Sequence, residues 1–74
     1  MIEKLADYSH EAWSGWMRYM FAQGTFAIDG TWQMPKEKVE RWTRQMNTPY
    51  EQLSESEKKS DRAEASKIVA IIES

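Results

Sequence analysis

The chain has 74 residues, no cysteine and a formal net charge of −2 at pH 7. This length predicts one domain, residues 1–74, with a small core, and the absence of cysteine excludes disulfides and thiolate metal sites. The slight negative charge disfavours DNA, RNA and anionic membranes as partners. No apolar run approaches the roughly 20 residues that span a bilayer.

The first predicted element is a helix from Ile2 to about Phe21, where apolar residues recur with helical spacing. Gly24 lies just past its end, in the position of a C-terminal cap. Gly15 interrupts the pattern at a cost of about 1 kcal/mol relative to alanine. It predicts either another group packed close to the backbone, or a kink or early end of the helix.

A small β-hairpin is predicted next. Two short segments rich in β-branched and aromatic residues flank Asp29-Gly30, a dipeptide typical of tight hairpin turns. A two-stranded ribbon is not stable alone in water, so one of its faces must pack on the helices. The sequence leaves two choices for that face: Phe26 with Ile28, or Trp32 with Met34.

Pro35 opens a second predicted helix that continues to about Met46, with Asn47 as its C-terminal residue. Proline favours a helix start because its φ is fixed and the missing N–H has no partner in the first turn. Four residues of this helix are predicted to face inward: Val39, Trp42, Thr43 and Met46.

The segment from Thr48 to Arg62, here called the joint, contains two predicted helix starts. Thr48 with Glu51, and Ser54 with Glu57, each have the spacing of a capping box, in which two orphan N–H groups are satisfied reciprocally. The joint therefore predicts one short helical turn followed by a long helix. Two apolar residues would anchor that turn in the core: Tyr50 and Leu53.

The last predicted helix extends from about Glu55 to Glu73, with one apolar stripe. Its members are Ala65, Ile68, Val69 and Ile72. Together the elements predict a mainly α (α+β) fold. We expect a compact domain of about three helices, a short helical turn and one small β-hairpin.

The joint and part of the first helix resemble a known family. The pattern comprises Pro49-Tyr50, Leu53, Ser54-Glu55, Lys58 and Asp61-Arg62, with His10 and Trp13 upstream. This order resembles the RyR domain, the repeat named after the ryanodine receptors, which small phage and prophage proteins carry as single copies. The resemblance covers about half of the chain and implies the same α-rich fold with one hairpin.

No set of residues suggests catalysis. His10 is the only histidine, and there is no Gly-rich phosphate loop and no spacing typical of metal ligands. The sequence therefore predicts a non-enzymatic protein without metal or cofactor.

His10 and Trp13 are three residues apart and share one face of the first helix. One interpretation makes Trp13 a core residue and bonds His10 to a backbone carbonyl or to the Tyr50 hydroxyl. The resemblance implies another: in RyR domains the tryptophan after this histidine stacks on purine rings of adenine nucleotides and xanthines, and it corresponds to Trp13. Stacking contributes about 1–3 kcal/mol per base.

Three further candidates each have a structural alternative. Trp32 beside the hairpin turn could close over a ligand or pack in the core. Arg41 and Arg44, one helical turn apart, could bind a phosphate, or could pair with Glu37 and Glu40 at i,i+4 spacing. Trp16 and Trp42 are interpreted as core residues.

Tyr50, Lys58 and Arg62 match the RyR pattern position by position. Their first interpretation is structural, with the Tyr50 phenol finding a hydrogen-bond partner. Lys58 and Arg62 are second-rank ligand candidates.

These observations predict a module that binds a nucleotide-derived molecule, adenine-containing or cyclic. In a phage protein it would sequester a host defence signal in the host bacterial cytoplasm. The alternative is a protein-interaction module that self-associates or binds a host protein through its aromatic residues and methionines. The two are compatible if the pocket forms between subunits, because so small a domain has little room for a cavity of about 300 Å³.

Overall fold

A computed structural model describes all 74 residues and shows a mainly α fold with one small hairpin, as predicted. No helix combines the length and apolar character needed to cross a membrane. The elements in chain order are α1 (Ile2–Gln23), β1 (Thr25–Phe26), β2 (Trp32–Gln33), α2 (Lys36–Met46), a 3-10 turn (Tyr50–Gln52) and α3 (Glu55–Glu73).

Helix α1 is continuous across Gly15, and a Cβ built there would meet no atom within 4 Å. Neither close packing at Gly15 nor an early helix end is therefore found. Gly24 is the C-terminal cap of α1, as predicted. It must be glycine because a Cβ there would collide with the Gln33 carbonyl oxygen and the Trp32 indole.

The hairpin pairs Thr25 with Gln33 and Phe26 with Trp32, so its strands are shorter than predicted. The Thr31 N–H donates to Asp29 Oδ1 at 2.9 Å, and Gly30 has a positive φ of 87°. The Gly30 N–H donates to the Ala27 carbonyl oxygen at 3.0 Å, so the chain already turns at residues 27–30 and the strands end early.

The second choice for the packed face of the hairpin is confirmed. Phe26 and Ile28 are exposed, whereas Trp32 and Met34 are half-buried. The Trp32 indole N–H donates to the Phe21 carbonyl oxygen at 3.1 Å, and the two rings meet edge to face at 5.6 Å. These contacts fix the hairpin on the last turns of α1.

Helix α2 ends at Met46 with Asn47 as its C-terminal cap, in the predicted position, and the Asn47 N–H donates to the carbonyls of Thr43 and Arg44. Of the residues predicted to face inward, Trp42 alone is half-buried; Val39, Thr43 and Met46 are exposed, so their prediction was wrong. The reason is that α2 meets α1 along one edge, where the Trp42 and Tyr19 rings lie 6.0 Å apart.

Only the second predicted capping box forms in the joint. The Ser54 hydroxyl accepts from the Glu57 N–H at 3.3 Å, and the Ser54 N–H donates to Glu57 Oε1 at 3.0 Å. The Thr48 hydroxyl instead donates to the Arg44 carbonyl at 2.6 Å. Because Thr48 lies two residues before the 3-10 turn, its side chain closes α2 and does not start the turn.

Helix α3 begins and ends at the predicted residues and packs along α1. Its apolar stripe is only partly covered, since Ile68, Val69 and Ile72 remain exposed. No residue of the chain is buried, and the molecule measures 47 × 30 × 16 Å. Its apolar side chains therefore line open clefts between the elements.

Candidate binding groove

The largest cleft, here called the aromatic groove, has a volume of about 590 Å³ and lies between α1, α2 and the joint. Eight of the eleven residues that line it are hydrophobic, four of them aromatic. The lining residues are Trp16, Met17, Tyr19, Met20, Trp42, Gln45, Met46, Thr48, Tyr50, Leu53 and Asp61.

Helical spacing places the two aromatic walls. Trp16 and Met20 on α1, and Trp42 and Met46 on α2, are each i,i+4 pairs that share a face of their helix. The Tyr19 and Trp42 rings meet at 6.0 Å with an interplanar angle of 48°. The groove is therefore bounded by flat π-faces on two helices.

Two polar side chains of the groove are free to bind a ligand. Asp61 is the only charged residue in the lining. Neither Asp61 nor Gln45 makes a side-chain hydrogen bond or ion pair within the chain. The groove thus offers a carboxylate acceptor and an amide that can both donate and accept.

Tyr50, Lys58 and Arg62 come together at the rim of the groove. The Arg62 Nε–H donates to the Tyr50 hydroxyl at 3.0 Å, and Arg62 Nη1 lies 3.5 Å from Glu55 Oε2. The bond to Tyr50 and the charge of Glu55 raise the pKa of Arg62 above its usual value. Lys58 Nζ lies 5.8 Å from the centroid of the Tyr50 ring, within reach of a cation–π interaction.

His10 and Trp13 form a separate stacked pair, with ring centroids 6.2 Å apart and an interplanar angle of 24°. Trp13 is exposed and is not a core residue, and His10 makes no hydrogen bond to a carbonyl or to Tyr50. Trp13 lines a smaller cleft of about 260 Å³ beside α3. This cleft adjoins the aromatic groove because Trp16 lines both.

Arg41 and Arg44 lie on α2 outside the lining of the groove. Neither pairs with Glu37 or Glu40; Glu40 instead lies 3.8 Å from Lys36. Both guanidinium groups act at a distance on Glu57. The hydrogen bonds from Ser54 lower the pKa of Glu57 most, and the charges of Arg44 and Arg41 lower it further.

Trp32 also lies outside the groove, where Phe21 and Gly24 hold it in the hairpin. Of the predicted ligand residues, Tyr50 alone lines the groove. The other ten lining residues were not suggested as ligands by the sequence, among them Trp16, Trp42 and Asp61. A signal was present for the two tryptophans, because each precedes a methionine by four positions, which gives each helix an adaptable apolar face.

Comparison of the chain with models of protein families, with curated proteins and with solved structures finds no match. Function is therefore inferred from the groove, from the residues at its rim and from the resemblance in the joint.

Proposed function

We propose that this chain is a non-enzymatic binding module for a nucleotide-type small molecule, adenine-containing or cyclic, whose base lies in the aromatic groove. The observation that carries the proposal is the groove itself, a cleft of about 590 Å³ lined by two tryptophans and two tyrosines. Small-molecule sites are typically apolar clefts of about 300–1,000 Å³ with a few polar groups.

The tryptophans would hold the base by stacking. Trp16 and Trp42 come from different helices, so a flat ring in the groove would contact both walls. Stacking contributes about 1–3 kcal/mol per base and tolerates different bases. Recognition of one base requires polar contacts in addition.

Asp61 and Gln45 would provide those contacts. A carboxylate accepts hydrogen bonds from an exocyclic amino group, and a glutamine amide matches the N6 and N7 edge of adenine. Both side chains have free hydrogen-bonding groups in the groove. An adenine-type base therefore satisfies the polar lining and the aromatic walls together.

The phosphate would leave the groove past Tyr50. The lining contains no cation, and the negative Asp61 disfavours a phosphate inside. Arg62 and Lys58 lie directly around Tyr50 at the rim. Arg62 retains N–H donors beyond those on Tyr50 and Glu55, and guanidinium groups bind phosphate in a bidentate manner.

The biological use follows from the resemblance. If the chain is a single-copy RyR domain of phage type, its simplest role in the host bacterial cytoplasm is to sequester a nucleotide signal of host defence. Such a role needs tight binding and no reaction. It is consistent with a groove whose lining contains no histidine, cysteine or lysine and whose only charged group is Asp61.

Calorimetric titration of the purified chain with mono-, di- and cyclic nucleotides tests the proposal, with thermal unfolding in parallel. A ligand at about 100 times its Kd adds about 2.7 kcal/mol to the free energy of unfolding. We expect one nucleotide class to bind, and Trp16→Ala to weaken it about 5- to 150-fold through lost stacking.

Trp13→Ala is the matched control, because Trp13 is about as exposed as Trp16 and lies outside the groove. It is expected to leave affinity unchanged. Loss of binding in Trp13→Ala with retention in Trp16→Ala would place the base on the His10–Trp13 pair and refute the groove. If no nucleotide binds, the proposed function is wrong.

A further inference from the structure

We propose that two copies of this chain pair across the aromatic groove and form a homodimer in the absence of any ligand. The surface area carries this inference. The 8.7 kDa chain exposes 6162 Å², whereas a folded monomer of that mass is expected to expose about 4,700 Å². Each chain therefore exposes about 1,400 Å² more than a monomer of its size.

The chain also lacks an interior of its own, since none of its 74 residues is buried. Small folds often replace a core with disulfides or a metal ion. This chain has no cysteine and no cluster of side chains that could hold a metal ion. The missing contacts must come from a molecule that is present whenever the chain folds. A second copy meets that condition, and obligate homodimers commonly have no stable folded monomer.

The aromatic groove is the face that the second copy covers. Four of its lining residues are 47–76% exposed: Trp16, Tyr19, Met46 and Tyr50. Aromatic residues and methionines are enriched in the centres of interfaces, and charged residues are depleted. The groove lining matches this composition, with Asp61 as its one charge.

The excess area fits a dimer quantitatively. Two copies that each bury about 1,400 Å² form an interface of about 2,800 Å², within the 2,000–5,000 Å² of obligate homodimers. A two-fold axis would place the same patch of both copies in contact. The net charge of −2 per chain adds little repulsion.

Dimerisation would complete the ligand site, and this part rests on the proposed function. Binding sites enclose about 70–90% of a ligand's surface. The groove of one chain is open, with exposed residues in its walls. The second copy would supply the opposite wall, so a base would be enclosed only in the dimer.

Sedimentation equilibrium of the full chain without ligand tests the inference. We expect the mass of two chains at about 100 µM, because an interface of this size is stable at that concentration. Met46→Glu is the test variant: Met46 is the last residue of α2 and is exposed, so a single chain accommodates glutamate there. A charge at the interface centre should weaken the dimer about 100-fold or more.

Ile28→Glu is the control, since Ile28 is fully exposed in the hairpin loop outside the groove, and it should leave the dimer intact. Circular dichroism verifies that Ile28→Glu remains helical, and it measures whether Met46→Glu loses helicity together with its dimer mass. A wild-type mass of one chain at about 100 µM overturns the inference, as does a dimer that Ile28→Glu dissociates and Met46→Glu does not. A dimer without nucleotide affinity refutes only the proposed function, and a monomer that binds nucleotide refutes only the dimer.

Discussion

The joint and the aromatic groove adjoin at Tyr50 but are held together by different forces. In the joint, Ser54 and Glu57 exchange hydrogen bonds, and Arg62 donates to Tyr50. In the groove, the helices meet through apolar contacts such as the Tyr19–Trp42 ring pair. The joint is complete within one chain, whereas the apolar walls of the groove remain exposed.

The joint therefore sets the geometry of the chain, whereas the groove contributes to its stability. Hydrogen bonds are directional but contribute only about 0.5–1.5 kcal/mol each, so the joint decides where α3 starts and adds little stability. Apolar burial is non-directional and contributes about 25 cal/mol per Å². The exposed walls of the groove can therefore still gain stability when another surface covers them.

The largest expected effect is that of Trp42→Ala in the groove. Removing a fully buried tryptophan costs about 3–5 kcal/mol, and a half-buried one such as Trp42 should cost about 2 kcal/mol. Urea denaturation at several protein concentrations measures the loss. Ile28→Ala, at a fully exposed position, is the control and should change stability by less than about 0.5 kcal/mol.

The cap of α3 should have an intermediate effect. Ser54→Ala removes the hydroxyl that accepts from the Glu57 N–H, and such caps are worth about 1 kcal/mol. Thr48 has the same predicted capping motif but does not cap a helix start. Thr48→Ala therefore loses only one exposed hydrogen bond, to the Arg44 carbonyl. Denaturant midpoints should rank Ser54→Ala as the more destabilised. A loss in Ser54→Ala larger than that in Trp42→Ala would overturn the contrast between the two regions.

The smallest effect concerns pH. Hydrogen bonds from Ser54, and then the charges of Arg44 and Arg41, lower the pKa of Glu57 in the folded chain. Glu57 therefore contributes stability above its ordinary pKa of 4.5, and this contribution is lost as the pH falls through the lower folded value. Glu57→Gln should flatten the acid side of the stability–pH curve.

Thermal unfolding between about pH 2 and 6, which spans carboxylate titration, follows that curve. Glu51→Gln is the matched charge control, because Glu51 makes no side-chain hydrogen bond. Asp29 should keep part of the pH dependence in both variants, since its bonds with Thr31 lower its pKa in the same way. An acid limb that is equally steep in Glu57→Gln and wild type would refute the role of the capping box.

Local signals predicted the elements well. Helix α3 begins at Glu55 and ends at Glu73, as its cap and periodicity indicate, and Gly24 and Asn47 end the other two helices. The strands came out shorter than predicted because the Asp29 side chain and the conformation of Gly30 close the loop early. The sequence indicates that a turn lies at Asp29-Gly30, but not which hydrogen bonds close it, and those bonds decide where the strands end.

The groove was harder to predict for a physical reason. Spacing shows that Trp16 and Met20 share a face, but not what covers that face. The sequence predicts Trp16 and Trp42 as core residues, since a chain of this length must bury its aromatic residues somewhere. The structure leaves Trp16 exposed.

The Tyr50–Arg62 contact joins residues of one short segment, so a pattern within the joint could indicate it.

The indole of Trp32 provides a built-in spectroscopic probe. It is the only one of the four indole N–H groups that has a partner in the chain, the Phe21 carbonyl at 3.1 Å. In a proton NMR spectrum, this proton should exchange with water more slowly than the other three. Its signal would report whether the hairpin is docked on α1, while the signals of Trp16 and Trp42 report on the groove. Undocking of the hairpin and occupation of the groove can thus be followed separately in one unlabelled sample.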